Sequence, residues 1–257
     1  MAMNLFAAFA DVSIWQLIPV GVIAFVASVL GGVSGYGTGA LMPLVLVPLT
    51  GAEAVVPIIA ISAMFSNTSR ITAFIGYADW RRVWIGLVAA VPTCVLGAWG
   101  YTKLSNAGAA LVIGSMLILS VPLRRLLKYH GIHFGDAGLA LGAVGYGAVV
   151  GGTAGSGVIL LSLLMAAGLS GASVIATDAA ISIVIGIVKI SVFGLAGVIS
   201  AKVLAFALLI GIIALPGAFL AKAFVERMPV HVHTAILDVV VLVGGVFLIY
   251  GALVERI

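Results

Sequence analysis

The sequence predicts an all-α polytopic membrane protein built from two homologous halves, each a broken or re-entrant helical pair followed by three transmembrane helices. Composition comes first: of 257 residues 63% are hydrophobic and only 8% charged, with a mean hydropathy of +1.35, far from soluble globular usage. Next, the glycine-rich stretch Gly31-Gly32-Val33-Ser34-Gly35-Tyr36-Gly37-Thr38-Gly39 recurs 120 positions later as Gly151-Gly152-Thr153-Ala154-Gly155-Ser156-Gly157. The same offset pairs Leu41 with Leu161, Leu49 with Leu169, Gly51-Ala52 with Gly171-Ala172, Ile61-Ser62 with Ile181-Ser182, and Gly97-Ala98 with Gly217-Ala218. The first half is thus echoed in the second without an insertion.

In chain order, residues 1–13 form a short lead and residues 14–30 a first apolar helix that ends at the glycine stretch. The lead has no basic n-region or small-residue cleavage site, so the first helix reads as retained structure. A shorter apolar run follows at 40–50. The two together exceed the ~20 residues of one crossing, and the second alone falls short of it, which suits a broken pair. Runs of crossing length follow at 54–76, 83–102 and 107–123. Arg124, Arg125, Lys128, His130, His133 and Asp136 then form a polar linker where the halves join. The second half repeats the plan, with a broken pair at 137–150 and 158–170 and crossings near 172–198, 203–223 and 235–253. The chain reads as one membrane transport domain, 1–257, with repeat one at 14–123, a basic linker at 124–136 and repeat two at 137–253.

The net charge of +4 comes from few residues gathered at segment ends, as in loops biased toward the cytoplasm, and does not form a nucleic-acid surface. The lone Cys94 lies in an apolar run and reads as a small buried filler. Placing Arg81, Arg82, Arg124, Arg125 and Lys128 inside leaves the parity of each half open. If each broken pair counts as one crossing, the repeats run parallel with Lys202 and Arg256 inside. If it is a hairpin, they are inverted with Lys222 and Arg227 inside. Paired short segments joined by glycine turns favour the inverted arrangement, with a binding site at the repeat interface.

Charges within the bilayer are costly and persist where a partner or a cavity receives them. Arg70, Asp178 and Lys189 are such charges. Ser62, Ser66, Asn67 and Arg70 share one helical face, a polar stripe on an apolar helix. Lys189 shares a face with Ser182 and Gly186, while Asp178 lies about three turns, ~16 Å, before it on the same helix. In the repeat register Lys189 matches Ser69, so Arg70 and Lys189 stand one position apart in their halves. Two cations, hydroxyl and amide donors, and helix starts at Gly35-Tyr36-Gly37 and Gly155-Ser156-Gly157 converge on binding of a small anion. Arg70, Lys189, Asn67, Ser66, Gly35, Tyr36, Gly37, Gly155, Ser156 and Gly157 are therefore the candidate substrate-binding residues. Asp178 is the candidate coupling carboxylate, Asp238 and Glu53 lying nearer segment ends.

An enzyme is not predicted. His130, His133, His231 and His233 fall in polar linkers without acidic or cysteine partners, so no metal site is expected. No nucleophile and base pair or ATP-binding segment is present, so no cofactor is expected and transport must draw on an ion gradient or the substrate gradient. An anion channel and a membrane-embedded binding or scaffold subunit are the alternatives.

The repeated glycine-rich broken helix resembles the TauE/SafE sulfite exporter family, also called TSUP. So do Pro43 and Pro48 in the following short helix, the Gly76-Tyr77-Ala78-Asp79-Trp80-Arg81 turn and the Gly97-Ala98/Gly217-Ala218 pair. The resemblance covers nearly the whole chain. It implies a secondary transporter of the bacterial inner membrane with sulfite, sulfoacetate or related small sulfur-containing anions as substrates, and leaves import and export open. Gly39 and Pro43 become Ile159 and Leu163 in the second half, so the two glycine turns need not contribute equally.

Overall fold

The computed structural model describes residues 9, 12–34, 37–129, 135–217, 219–221 and 230–254, and the elements of regular structure among them are all helical. The helices are α1 (Ile14–Ser34), α2 (Gly37–Thr50), α3 (Ala52–Phe74), α4 (Trp80–Tyr101), α5 (Asn106–Tyr129), α6 (Asp136–Gly152), α7 (Gly157–Ala166), α8 (Ala172–Leu195), α9 (Ala201–Ala214) and α10 (Val230–Val254). Among the described residues six apolar stretches are long enough to cross a bilayer: those of α1, α3, α4, α5 and α8, and the stretch Ala201–Ala221 that α9 opens. The chain is a multi-pass membrane protein. α2 and α7 are the two short apolar helices the sequence predicts.

Helix starts repeat in register. α2 and α7 begin at Gly37 and Gly157, and α3 and α8 at Ala52 and Ala172, each pair 120 residues apart. Both α3 and α8 follow a glycine with positive φ, 77° at Gly51 and 56° at Gly171, a backbone that a side chain resists. α4 and α9 are each capped by a side-chain oxygen: Asp79 accepts from the Arg82 amide, and Ser200 from the Val203 amide. The repetition is therefore carried by special backbone positions as well as by hydropathy.

Several sequence-based boundaries are corrected. α1 continues through Gly31 and Gly32 to Ser34 instead of ending at residue 30. Glycine within a membrane helix keeps its backbone bonds and lets a neighbour approach. The linker expected at 124–136 is shorter: α5 continues to Tyr129, since Arg and Lys are good helix formers, and α6 starts at Asp136. Gly35, Tyr36, His130, His133, Lys222, Arg227 and Arg256 lie outside the described residues, as do the side chains of Arg124, Arg125, Lys128, His231 and His233.

The most extensive packing is between the halves, although α1 with α2 and α2 with α3 also pack within one. α4 lies along α6, α5 along α10, α3 against α8 and α9, α4 against α8, and α1 against α9. Exchanging the elements of one half for their counterparts maps this set of pairs onto itself. In lipid no hydrophobic force draws helices together, so close backbone approach matters. A Cβ at Gly97 would overlap the Ala148 carbonyl, and one at Gly217 would overlap Ser28, contacts whose members are 120 residues apart. A Cβ at Gly147 or Gly151 would likewise strike the backbone of α4, at Ala90 and at Cys94 and Ala98. Outside, Trp15, Trp80, Trp84 and Trp99 are exposed, each near a helix end where a membrane interface suits an aromatic ring.

Candidate functional site

The two broken pairs meet around a cavity of about 110 Å³. One wall is the start of α2, Gly37-Thr38-Gly39, with Gly31 from the last turns of α1. The opposing wall is the turn between α6 and α7, Thr153 to Gly157. Across the wall contact, a Cβ at Gly39 would meet the backbone of Gly155, whose φ of 80° itself calls for glycine. α3 and α8 cross the cavity and supply its charges.

Arg70 lines the cavity and is only 3% exposed. Its Nη2 donates to Asp178 Oδ2 at 2.6 Å and its Nη1 to Asn67 Oδ1 at 3.1 Å. Its Nε and Asp178 Oδ1 are buried without a hydrogen-bond partner. The ion pair joins α3 of one half to α8 of the other. Asp178 is fully buried and is not among the cavity-lining residues; one turn further along α8, Ser182 is. The carboxylate therefore stands behind the wall and neutralises Arg70 from there. Sequence spacing found no partner for Asp178 on its own helix because the partner is 108 residues away.

Lys189, 6% exposed, is held differently. Its Nζ donates to the carbonyls of Val150 at 2.7 Å and Thr153 at 3.3 Å, the last turn of α6 and the residue after it. A cation here satisfies carbonyls that helix geometry leaves without partners and meets the negative end of the helix dipole. An ammonium has three donors, so one remains for the cavity. The equivalent residue in the first half, Ser69, turns its hydroxyl back to the Ser66 carbonyl at 2.9 Å.

Of the residues the sequence singles out, Arg70, Lys189, Asn67, Ser66, Gly37, Gly155, Ser156 and Gly157 all line the cavity. Ser28, Tyr146 and Thr153 line it too, although the sequence reading does not single them out. Tyr146, a phenol on an otherwise apolar helix, and Thr153, inside the repeated glycine stretch, were the available signals.

Beside Asp178, the start of α4 is tied to α8 and to the end of α7. The Asp79 amide donates to Thr177 Oγ1 at 3.0 Å, and Arg82 donates to the Ala167 carbonyl at 2.7 Å and to the Asp79 carboxylate. Burial alone would raise the Asp79 pKa, but the Arg82 amide and guanidinium outweigh it and hold the carboxyl below its usual value.

The family model described as sulfite exporter TauE/SafE matches residues 20–248. Comparison with curated proteins and with solved structures returns no match. The match spans α1 to α10 and both walls of the cavity, and on that extent the chain belongs to the sulfite exporter TauE/SafE family of membrane transporters.

Proposed function

We propose that the chain is a secondary transporter that moves a small sulfur-containing anion, sulfite or a small organosulfonate such as sulfoacetate, across the bacterial inner membrane. The observation that carries the reading is Lys189: a buried cation at the cavity whose hydrogen-bond partners are neutral carbonyls. A charge kept in a membrane interior without a counter-charge is an arrangement that an arriving anion completes. Arg70 adds an unpartnered Nε, and Ser66, Asn67, Ser156 and the glycine turns add polar and backbone groups. On this reading the halves are inverted about an axis near the cavity, with Arg81 and Arg82 on the cytoplasmic side. Asp178 is the coupling carboxylate, since its protonation changes the charge that Arg70 presents.

Calorimetry on purified protein and counterflow in proteoliposomes test this together. Sulfite or an organosulfonate is expected to bind, and a preloaded anion to drive saturable uptake of the labelled one. Lys189→Ala should weaken binding roughly ten- to a hundredfold, the loss expected for a hydrogen bond to a charged group. Flux that does not saturate would make the protein a channel, and absence of any anion binding would leave a scaffold role.

A further inference from the structure

Resting on the anion-site reading above, we infer that the charge count around the cavity, one cation in excess, makes the site select singly charged anions over doubly charged ones. Arg70 and Asp178 cancel across their 2.6 Å contact, and Lys189 touches only neutral carbonyls. The helix ends do not alter the sum. α2 and α7 bring N-termini to the cavity and α1 and α6 bring C-terminal turns, each equivalent to roughly half a charge, two of either sign. The other groups near Asp178 leave the count unchanged: Tyr146 from α6 is a neutral phenol, and Asp79, whose amide bonds the neighbouring Thr177, is paired with Arg82.

A monoanion therefore brings the buried site to neutrality. A dianion of the same shape leaves one negative charge unmatched in a medium that screens poorly. Asp178 sets this count from behind the wall. It is a specificity-determining residue that acts through Arg70. Removing its charge raises the excess to two, so a dianion should then fit the site best. For the same reason a dianionic substrate enters the wild-type site favourably only together with a proton on Asp178, which ties substrate charge to coupling.

The test compares methanesulfonate with sulfate, tetrahedral sulfur anions that differ by a methyl in place of one charged oxygen. Calorimetry on the purified full chain at fixed pH and ionic strength should give wild-type protein a preference for methanesulfonate of roughly a hundredfold, the scale of one unmatched buried charge. Asp178→Asn should reverse it toward sulfate. The double variant Arg70→Gln/Asp178→Asn removes one charge of each sign. It should bind both anions more weakly and keep the preference for methanesulfonate, and it avoids the folding cost of a lone buried cation. If wild-type protein binds both anions equally, or if the folded Asp178→Asn variant keeps the wild-type ratio, the charge-count inference is wrong while the anion site stands. A double variant that loses the preference overturns it as well, and is decisive should the single variant fail to fold. If neither anion nor sulfite binds wild-type protein, the anion-site reading itself falls and the inference with it.

Discussion

The two broken pairs occupy equivalent places in the repeat and are held by different means. At the first, backbone packs on backbone: a Cβ at Gly37 would overlap the Ala27 carbonyl and the backbone of Gly31, so nothing larger than hydrogen fits. At the second, a buried ammonium clasps the end of α6 through two carbonyls, while the residue at the matching place in α3, Ser69, bonds only within its own helix. Prolines deepen the contrast. Each of α1 to α5 contains at least one, at Pro19, Pro43, Pro48, Pro57, Pro92 and Pro122, whereas α6 to α10 contain none. The two junctions thus share a place in the chain's register and differ in what closes them, backbone contact at one and an ammonium at the other.

The largest expected effect comes from breaking the contact that spans both halves. Asp178→Ala leaves Arg70 buried and unpaired and should destabilise the protein by about 3–5 kcal/mol. The double variant Arg70→Met/Asp178→Leu should recover much of that loss in detergent thermal unfolding. If the double variant is as unstable as the single one, packing and not charge holds α3 to α8.

Gly37→Ala strikes the first junction alone. Overpacking against backbone should cost roughly 1–3 kcal/mol and lower the melting temperature without removing the charge of the cavity. Lys189→Met strikes the second. It frees two carbonyls and should cost about 2 kcal/mol while weakening anion-dependent stabilisation. A variant pair with the opposite pattern, in which Gly37→Ala alone loses the ligand response, would show that the first junction is the binding wall.

A finer comparison uses the shared positive-φ glycines. Alanine at Gly51 or Gly171 should cost about 1–3 kcal/mol, because their positive-φ extended backbone is essentially confined to glycine. Gly51→Ala should cost slightly more, because its Cβ would stand 3.1 Å from Asn106 Oδ1 while Gly171 opens on free space. Equal melts for the two variants would mean that Asn106 moves aside.

The smallest effect fades in acid. The Asp79 carboxyl titrates below the usual value of 3.8 in the folded protein, so its contribution is complete above about pH 4 and is lost as pH falls through the lower folded-state value. Asp79→Asn should lower the melting temperature slightly at neutral pH, where the contribution is complete, and the two profiles should converge as pH falls through the folded-state value. An unaltered acid limb would assign that slope to other carboxylates.

The frame was legible because its signals are local. Apolar runs of crossing length, and glycines repeated at one offset, mark α2, α3, α7 and α8 to within a few residues of their starts. Eight of the candidate site residues line one cavity because the glycine turns and the polar stripe of α3 are visible as patterns. What stayed hidden are partners. The carboxylate for Arg70 comes from the other half with no equivalent in the repeat, since the position matching Asp178 is Ile58. The acceptors of Lys189 are main-chain carbonyls, which every residue carries and no sequence advertises. The extension of α1 across Gly31-Gly32 was hidden for the opposite reason: glycine marks a turn in water and a close approach in lipid, and only the neighbouring helix decides which.

The pairs that pack most extensively, α4 with α6, α5 with α10, and α3 with α8 and α9, each join one half to the other. What serves as the core of this chain has the anatomy of a subunit interface, the form expected if a five-helix ancestor worked as a homodimer before its two copies were joined into one polypeptide. A symmetric dimer places the same residue on both sides of its axis. Two halves on one chain are free of that constraint, and a lone lysine facing an arginine already matched by aspartate is an arrangement that a symmetric dimer could not hold.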